Sequence, residues 1–421
     1  MKEFQVLGTL IENRWRAENY SEQLFPEIAA QALAEAELPS KVDPWDIIRW
    51  VQSAVTLPDQ KDVDGRFGNP PITLFVGPRF FIDVYYWLDG TTSIHQHAFS
   101  GAFQVLLGSS IHSHFDFRIH RILSEHFSVG ELSLKNVQLL KFGDIKKILP
   151  GPQYIHSLFH LDRPSATITV RTEHTPSAAV QYDYRKPNFA INPFFRSVST
   201  TKKLQTLGLL LGMKHKDADA MISQMIVSSD FHTVFFVLST LSHHFKGNQM
   251  DELFQLSTSK NRFEAILDKA RSAHGELVDM FLDVLKEQER QQNIILRRGN
   301  ITGEEHRFFL ALLLNVSGRE KILELVKQRS PETDPVDKVL DWVEELSQIR
   351  VLGSKEPNAL GIKDFNDAHI LVLESLLRGK SVEQVEASTT SATSGPPMSA
   401  DELDKLTADL QQSTLFTTLL M

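Results

Sequence analysis

Two histidines, His95 and His97, lie two residues apart in a run of apolar and β-branched residues that covers residues 90–108. Such a run predicts a β-strand, on which side chains two residues apart share one face. A third histidine, His156, follows a turn that begins at Pro150, where a second strand could return to the first pair. Three neutral imidazoles that converge inside a small barrel would bind a divalent metal ion.

This spacing resembles the first of the two sequence motifs of the cupin superfamily, whose fold is a double-sheet jelly roll, or double-stranded β-helix. In that motif a glycine is followed by His-x-His, a glutamate and a closing glycine. Here Gly90, His95, His97 and Gly108 match, and the spacer after Gly90 is one residue shorter. The glutamate position falls on Gly101, so the resemblance implies a site without that ligand.

The second cupin motif has Pro-x-Gly, then a histidine and a terminal asparagine. This chain has Pro150-Gly-Pro ahead of His156, with the turn displaced by one residue, and His160 stands where asparagine is usual. Loss of the glutamate with retention of three histidines resembles the thiol dioxygenase branch, such as cysteine dioxygenase. The resemblance therefore implies that His95, His97 and His156 are the metal ligands.

Three histidine ligands would leave the ion with its full double positive charge and, in octahedral iron, with three open sites on one face. The favoured hypothesis is a non-haem Fe(II) oxygenase or dioxygenase that acts on a small polar substrate together with dioxygen. Ligand type alone does not choose among Fe, Mn, Ni and Zn. A metal-dependent isomerase or hydrolase is therefore an alternative, as is a non-catalytic ligand-sensing or interaction module whose effector is the helical half.

Four further side chains are predicted to be catalytic groups near the substrate: His160, Tyr154, Arg171 and Tyr182. His160 shares its strand parity with His156, so it could face the cavity and donate a proton. The planar guanidinium of Arg171 could clamp a substrate carboxylate, or it could instead pair with Glu173 or Asp162.

A second His-x-His pair, His112 and His114, lies in a segment that alternates with apolar residues such as Ile111 and Phe115. If the apolar face lines the barrel interior, these two histidines point outward. The expectation is therefore that they lie on the surface or at the barrel mouth.

The composition limits the function classes. The chain has 421 residues, enough for two or three domains, and a formal net charge of -9, which argues against general nucleic-acid binding. It has no cysteine, so a metal must be held by nitrogen and oxygen ligands. The N-terminus has no signal-peptide pattern and no long apolar run occurs, so a cytoplasmic, soluble protein without a membrane partner is expected.

The fold class predicted from these patterns is α+β: a cupin-type jelly-roll barrel flanked by N-terminal helices and a C-terminal α-helical domain. The predicted organisation is a helical segment over residues 1–69, a β-barrel over 70–190, a helical domain over 199–385, and a linker with a short terminal helix over 386–421. The cupin resemblance covers about residues 70–185, and it also implies a homodimer formed through the sheets.

Local signals mark two helix starts. Asp43 followed by Pro44 predicts a capped helix that packs on the barrel. After a low-complexity linker at residues 387–398, Ser399 and Glu402 form a capping-box pattern that opens an amphipathic helix. That terminal helix would dock on its own chain, on a neighbouring subunit or on a partner.

Overall fold

The computed structural model describes the chain except for residues 66, 89, 174, 176–179, 196, 214, 248–257, 355, 381–398 and 421. The predicted linker at residues 387–398 therefore lies outside the described residues. The chain divides into two compact units. The first contains Met1–Asp116, Ser133–Gln181 and Glu289–Met421, and the second contains Phe117–Leu132 and Tyr182–Gln288.

The N-terminal region of the first unit is helical: α1 (Lys2–Ala17), α2 (Phe25–Ala36), α3 (Leu38–Lys41) and α4 (Pro44–Ser53). The predicted cap of α4 is confirmed, because the Asp43 side chain accepts a hydrogen bond from the backbone N–H of Trp45 at 2.9 Å. These helices pack on one face of a β-sheet, as predicted, and together they bury an apolar cluster that includes Phe4, Trp15 and Phe25.

That sheet has the strand order β1-β2-β10-β5-β8 and its strands are antiparallel. The strands are β1 (Pro71–Val76), β2 (Phe80–Trp87), β5 (Gly101–Leu107), β8 (Ile145–Ile148) and β10 (Ser165–Thr172). Alternate residues of β2 and β10, among them Ile82, Val84, Ile168 and Val170, join the apolar cluster under the N-terminal helices. The residues that alternate with these in β2 and β10 point to the other side of the sheet, into the space between the two sheets of the barrel.

The opposing sheet of the first unit is built around β9 (Ile155–His160). It pairs in antiparallel fashion with β3 (Gly90–Thr91), with β4 (Ile94–His95) and with the first residues of β6 (Ser110–Ser124). The outward face of this sheet is also covered by helices, because Ile111 and Phe159 belong to the apolar cluster of the C-terminal helical region. Both sheets of the barrel therefore carry a helical layer on their outer faces.

The C-terminal helices of the first unit surround that cluster: α10 (Glu304–Asn315), α11 (Arg319–Arg329), α12 (Pro335–Ser347), α13 (Asp367–Leu377) and α14 (Ala400–Gln412). The Ser399 side chain accepts a hydrogen bond from the backbone N–H of Glu402, so the predicted cap of α14 is confirmed. Leu403, Leu406 and Leu410 are buried in the cluster, so the terminal helix docks on its own chain.

The second unit has its own core. It contains the end of β6 and the start of β7 (Phe127–Leu140), the short strands β11 (Asp183–Arg185) and β12 (Phe189–Ile191), and four helices: α5 (Val198–Gly212), α6 (Ala218–Ser228), α7 (Phe231–Gly247) and α8 (Thr258–His274). Helix α9 (Glu276–Asn300) begins in this unit, and its residues from Glu289 onward belong to the first. The core includes Phe127, Phe189 and Phe281, all fully buried.

The predicted α+β architecture is confirmed: two antiparallel sheets face each other, with helices before and after them along the chain. In the part of the chain that the structure describes, no helix is both long and apolar enough to cross a membrane.

Candidate metal centre

The three histidines predicted as ligands meet in the barrel interior. His95 lies on β4 directly opposite His156 of β9 in the strand register. His97 follows two residues later and forms an isolated bridge with Pro150, whose turn leads into β9. All three side chains are buried. The Pro-Gly turn and the strand pairing thus bring together residues that lie about 60 positions apart in the sequence.

The ligand atoms of this cluster all lie within 4.8 Å of one another. The Nε2 atoms of His97 and His156 are 2.8 Å apart. Two nitrogen ligands at about 2.1 Å from one ion and at right angles to each other would lie roughly 3.0 Å apart. The observed separation therefore fits two adjacent ligands of one octahedral ion.

The hydrogen bonds of these imidazoles leave nitrogen lone pairs for a metal. The Nδ1 atom of His95 is 2.7 Å from the Ser93 carbonyl oxygen, which can only accept, so the proton lies on Nδ1 and the lone pair lies on Nε2. Burial lowers the pKa of both His97 and His156 well below the usual value, with nearby charged groups as smaller causes. The neutral imidazole favoured by this burial is the form that binds a metal ion.

A cavity of about 50 Å³ lies beside the histidines, between the two sheets. Its lining side chains are mostly aromatic and apolar, with a few polar groups, and include Phe67, Tyr85, Trp87, Thr92, Phe99, Phe103, Thr167 and Arg171. Among the described residues that line it, none carries a carboxylate. The site is therefore small, and its described wall has one permanent positive charge and no negative one.

That positive charge belongs to Arg171. Its guanidinium carbon lies 3.5 Å from the centre of the Phe99 ring and 5.2 Å from that of Phe81, so the planar group is stacked in place. The expected alternative partners of Arg171 are engaged elsewhere. Glu173 forms an ion pair with Lys61, and Asp162 accepts hydrogen bonds from Ser109.

A buried carboxylate, Asp83, lies behind this wall. It accepts hydrogen bonds from the hydroxyls of Tyr85 at 2.8 Å and Thr73 at 2.7 Å. Burial raises the pKa of Asp83, against the effect of these two hydrogen bonds and of the positive charge on Arg171. Sequence analysis did not identify Asp83, because the only local signal is an acidic residue within an apolar strand.

The missing glutamate of the cupin motif has a structural reason. Gly101 begins β5 and pairs with Arg171 of β10. A Cβ atom placed on Gly101 would lie 2.0 Å from the carbonyl oxygen of Val170. No side chain fits at this position unless the two strands separate, so the centre cannot gain a carboxylate ligand there.

The four predicted catalytic groups have different surroundings, and of these only Arg171 lines the cavity. His160 is fully buried under the Trp87 ring, with its Nδ1 near the hydroxyls of Ser110 and Ser165. Burial lowers its pKa to about 3, so it is a poor proton donor at neutral pH.

The two tyrosines are engaged away from the cavity wall. The Tyr154 hydroxyl lies 3.3 Å from Nε2 of His112, and burial raises its pKa. Tyr182 belongs to the second unit, where its hydroxyl donates to the Glu125 carbonyl at 2.5 Å. In the described structure neither tyrosine lines the cavity, although the centre of the Tyr154 ring lies 4.6 Å from that of His156, and the catalytic roles expected of both tyrosines stay predictions.

The predicted outward orientation of the second histidine pair is wrong. His112 is fully buried and lies opposite Leu158 in the strand register. Its side chain is on the same face of the sheet as those of His114 and His156, and this face is turned towards the barrel interior. The apolar residues that alternate with these histidines, such as Ile111, are on the other face of the sheet and pack against the C-terminal helices. The prediction failed because it assumed that the apolar face of the strand lines the barrel, whereas the helical layer covers that face.

Comparisons with known proteins found matches among solved structures, each over part of the chain. No family model and no curated protein matches the chain. Among solved structures, a double-stranded β-helix protein from Klebsiella pneumoniae is 16% identical and covers 30% of this chain and 89% of its own, with a TM-score of 0.18. Hydroquinone 1,2-dioxygenase from Sphingomonas sp. TTNP3 is 12% identical and covers 29% and 83%, with a TM-score of 0.20.

A third solved structure, the DMSP lyase DddQ from Ruegeria pomeroyi, is 15% identical and covers 31% of this chain and 56% of its own, with a TM-score of 0.19. Identities and TM-scores this low carry no argument about activity. The chain itself has a barrel of two facing sheets that encloses three converging histidines, and this geometry is typical of a metal centre.

Proposed function

We propose that this chain is a metal-dependent enzyme of the cupin type, and most specifically a non-haem Fe(II) dioxygenase that acts on a small polar substrate. The observation that carries the proposal is the convergence of His95, His97 and His156, all buried and with ligand atoms within 4.8 Å of one another, beside a cavity. Buried imidazoles that meet without a carboxylate have few structural roles, and metal binding explains their arrangement.

The donor set suits Fe(II), and also Zn, Ni and Mn to differing degrees. His95, His97 and His156, which come from two strands and one turn, would hold the ion beside the cavity. When bound, Fe(II) would supply adjacent open sites for a substrate and dioxygen. The ion would keep its double positive charge because all three protein ligands are neutral.

Arg171 would bind and orient the substrate. With a divalent ion present, the cavity would hold two centres of positive charge and no described carboxylate on its lining. Buried charge of one sign is costly unless an opposite charge compensates it. A substrate with an anionic group such as a carboxylate would provide that compensation, and the stacked guanidinium would fix its direction.

The aromatic wall would exclude water from the reacting groups. The exposed Phe67 packs edge-on against Tyr85 and Trp87, with ring centres 5.3 and 5.1 Å away, on the side where the cavity meets solvent. A cavity of about 50 Å³ accommodates only a small molecule without movement of the wall. The Tyr85 hydroxyl is held by Asp83, so this part of the wall is rigid.

The same centre could instead serve a metal-dependent isomerase or hydrolase. The observation that favours this alternative is the neutral ligand set, which makes the bound ion a stronger Lewis acid. The two functions differ in one measurable respect, because only the dioxygenase consumes oxygen.

The test is elemental analysis of purified protein, followed by an oxygen-uptake screen with small acids, amines and thiols. We expect about one metal ion per chain, and loss of that ion in His95→Ala and His156→Ala. His160→Gln is the matched control, since His160 is equally buried on the same strand as His156 but lies outside the cluster.

The absence of metal from the wild-type protein, even after anaerobic loading with Fe(II), would overturn the proposal. Retention of stoichiometric metal in His156→Ala would overturn the ligand assignment. Bound metal that supports turnover without oxygen uptake would favour the isomerase or hydrolase instead.

A further inference from the structure

His112 lies directly behind one of the proposed ligands. It belongs to β6, none of its surface is exposed, and its Nε2 atom is 3.0 Å from Nδ1 of His156. We propose that His112 is a positioning residue that fixes the tautomer and ring orientation of His156, and thereby sets the metal affinity of the centre. This inference rests on the proposed metal centre and concerns a residue that does not itself bind the ion.

The direction of the hydrogen bond follows from the position of the ligand atom. The Nε2 atom of His156 faces Nε2 of His97 and would bind the ion through its lone pair. A neutral imidazole has one proton, which must then lie on Nδ1 of His156. That N–H donates to Nε2 of His112, so His112 must present a lone pair there.

His112 cannot be a fourth ligand of the same ion in this arrangement. Its Nε2 atom lies on the Nδ1 side of the His156 ring, away from the atom that points to the cluster. Among the described residues, the group that could hold a metal contains only His95, His97 and His156. His112 therefore acts through His156, in the way that the hydrogen-bond partners of metal ligands commonly do.

The packing around His112 holds its ring at a defined angle. Its ring centre lies 4.3 Å from that of His114 and 5.7 Å from that of Phe103, and the Tyr154 hydroxyl approaches Nε2 at 3.3 Å. Backbone pairing of β6 with β9 sets the distance between His112 and His156. The acceptor is thus placed by the sheet and its neighbours before any metal binds.

The arrangement has a structural cost that the positioning role explains. If Nε2 of His112 accepts, the proton of its ring lies on Nδ1, and that atom is buried without a hydrogen-bond partner in the described structure. A buried polar group that lacks a partner destabilises the folded state. A leucine would avoid this cost, so the histidine is best explained by the hydrogen bond it makes to His156.

The experiment compares two substitutions of His112 in the full chain. His112→Leu keeps side-chain bulk and removes the acceptor, whereas His112→Gln places an amide oxygen near the position of Nε2. Ser113→Ala is the control, because Ser113 is a buried neighbour on the same strand but of opposite parity. The metal-free proteins are titrated with Co²⁺, whose visible absorption reports binding and ligand geometry, and their thermal midpoints are measured in parallel.

We expect His112→Leu to weaken Co²⁺ binding by about 10- to 100-fold. His112→Gln should bind with an affinity and spectrum close to those of the wild type, and Ser113→Ala should bind as the wild type does. The thermal midpoint of metal-free His112→Leu should change little, because the substitution removes the buried unpaired N–H of His112 but also removes the acceptor of the His156 N–H. A purely structural role would lower that midpoint and leave the affinity of the folded protein unchanged.

The outcomes separate this inference from the proposed function. Failure of the wild-type protein to bind Co²⁺ or Fe(II) would overturn both. Wild-type binding together with equal affinity in His112→Leu would overturn the positioning role alone, and so would equally weak binding in His112→Gln and His112→Leu.

Discussion

The two His-x-His pairs have the same spacing, but they occupy different layers of the barrel. His95 and His97 reach the cavity and converge with His156. His112 lies one layer further back, in hydrogen-bond contact with His156, and His114 is half-buried beside it. An identical short motif thus provides two of the proposed ligands on one strand segment and the proposed positioning residue on another. The strand register determines the role of each pair.

The two faces of the sheet formed by β6 and β9 explain why the second His-x-His pair is turned inward. One face carries His112 and His156 and is turned inward, whereas the other carries Ile111 and Phe159 and packs against the C-terminal helices. The apolar residues of this part of β6 do not line the barrel, because helices cover the outside of the sheet and those residues pack against them. Along this part of β6, the polar side chains on alternate residues face the site. The apolar side chains between them pack the sheet against the helices.

The largest effect on stability is expected from the apolar face. Ile111→Ala should lower the free energy of unfolding by about 2–5 kcal/mol, because it opens a cavity between the sheet and the helices. Co²⁺ affinity of the folded variant should stay unchanged, in contrast to that of His112→Leu. Denaturant unfolding and metal titration measure the two quantities separately.

Ile119→Ala is the control for this substitution. Ile119 lies on the same strand but is 54% exposed, so a change within about 0.5 kcal/mol is expected. If Ile111→Ala weakened metal binding as strongly as His112→Leu, the inward and outward faces of the sheet would not have separate roles in metal binding and stability.

A smaller effect is expected at the position where the cupin motif has glutamate. Gly101→Ala should destabilise the protein by about 1–3 kcal/mol, since its Cβ would collide with the Val170 carbonyl across the strand pair. Gly208→Ala is the control, because a Cβ on Gly208 meets nothing within 4 Å in helix α5 and alanine favours a helix. Chemical denaturation of both variants measures the difference.

Gly101→Glu tests the ligand set directly. We expect it to be less stable than Gly101→Ala and to bind Co²⁺ no more tightly than the wild-type protein. Tighter binding, with a spectrum typical of an added oxygen ligand, would show that the strands can separate enough to admit a carboxylate.

The last effect is a pH dependence, and it concerns a buried histidine that lies outside both pairs. Burial lowers the pKa of His160 to about 3 in the folded protein, against an ordinary value near 6.5. Between these two pH values the unfolded chain binds the proton and the folded protein does not, so stability falls as the pH decreases below about 6.5. The contribution is fully present above that pH.

His160→Gln should therefore reduce the acid sensitivity of the metal-free protein by up to about 1.4 kcal/mol per pH unit. Urea unfolding at pH 7, 5.5 and 4.5 measures this difference between the variant and the wild type. Equal slopes in the two proteins would mean that His160 takes up its proton in the folded state at an ordinary pH.

Local signals predicted several features correctly. The Asp43-Pro44 start of α4 and the Ser399 cap of α14 depend on side chains that bond to backbone within three residues, so they could be found without tertiary information. The cupin spacing identified the three histidines that meet in the barrel. In contrast, the orientation of His112 depends on which side of the sheet the helices cover, and no local pattern contains that information.

The side chains around the cavity were predicted less well for the same reason. Arg171 was correctly expected to be near the site, but its stacking on Phe99 and the carboxylate of Asp83 behind Tyr85 arise from pairing between distant strands. Tyr182 was grouped with the site, whereas its hydroxyl donates to the Glu125 carbonyl in the second unit.

The sequence by itself determined the types of side chain available for chemistry: sixteen histidines and no cysteine, so that a transition-metal site must be built from nitrogen and oxygen donors. It also determined where strands and helices alternate, because periodicity and caps are local properties. Only the tertiary structure decided which histidines meet beside the cavity and which one lies behind them. Strand register and the placement of the helical layers set the direction of each side chain, and both depend on contacts between residues far apart in the chain.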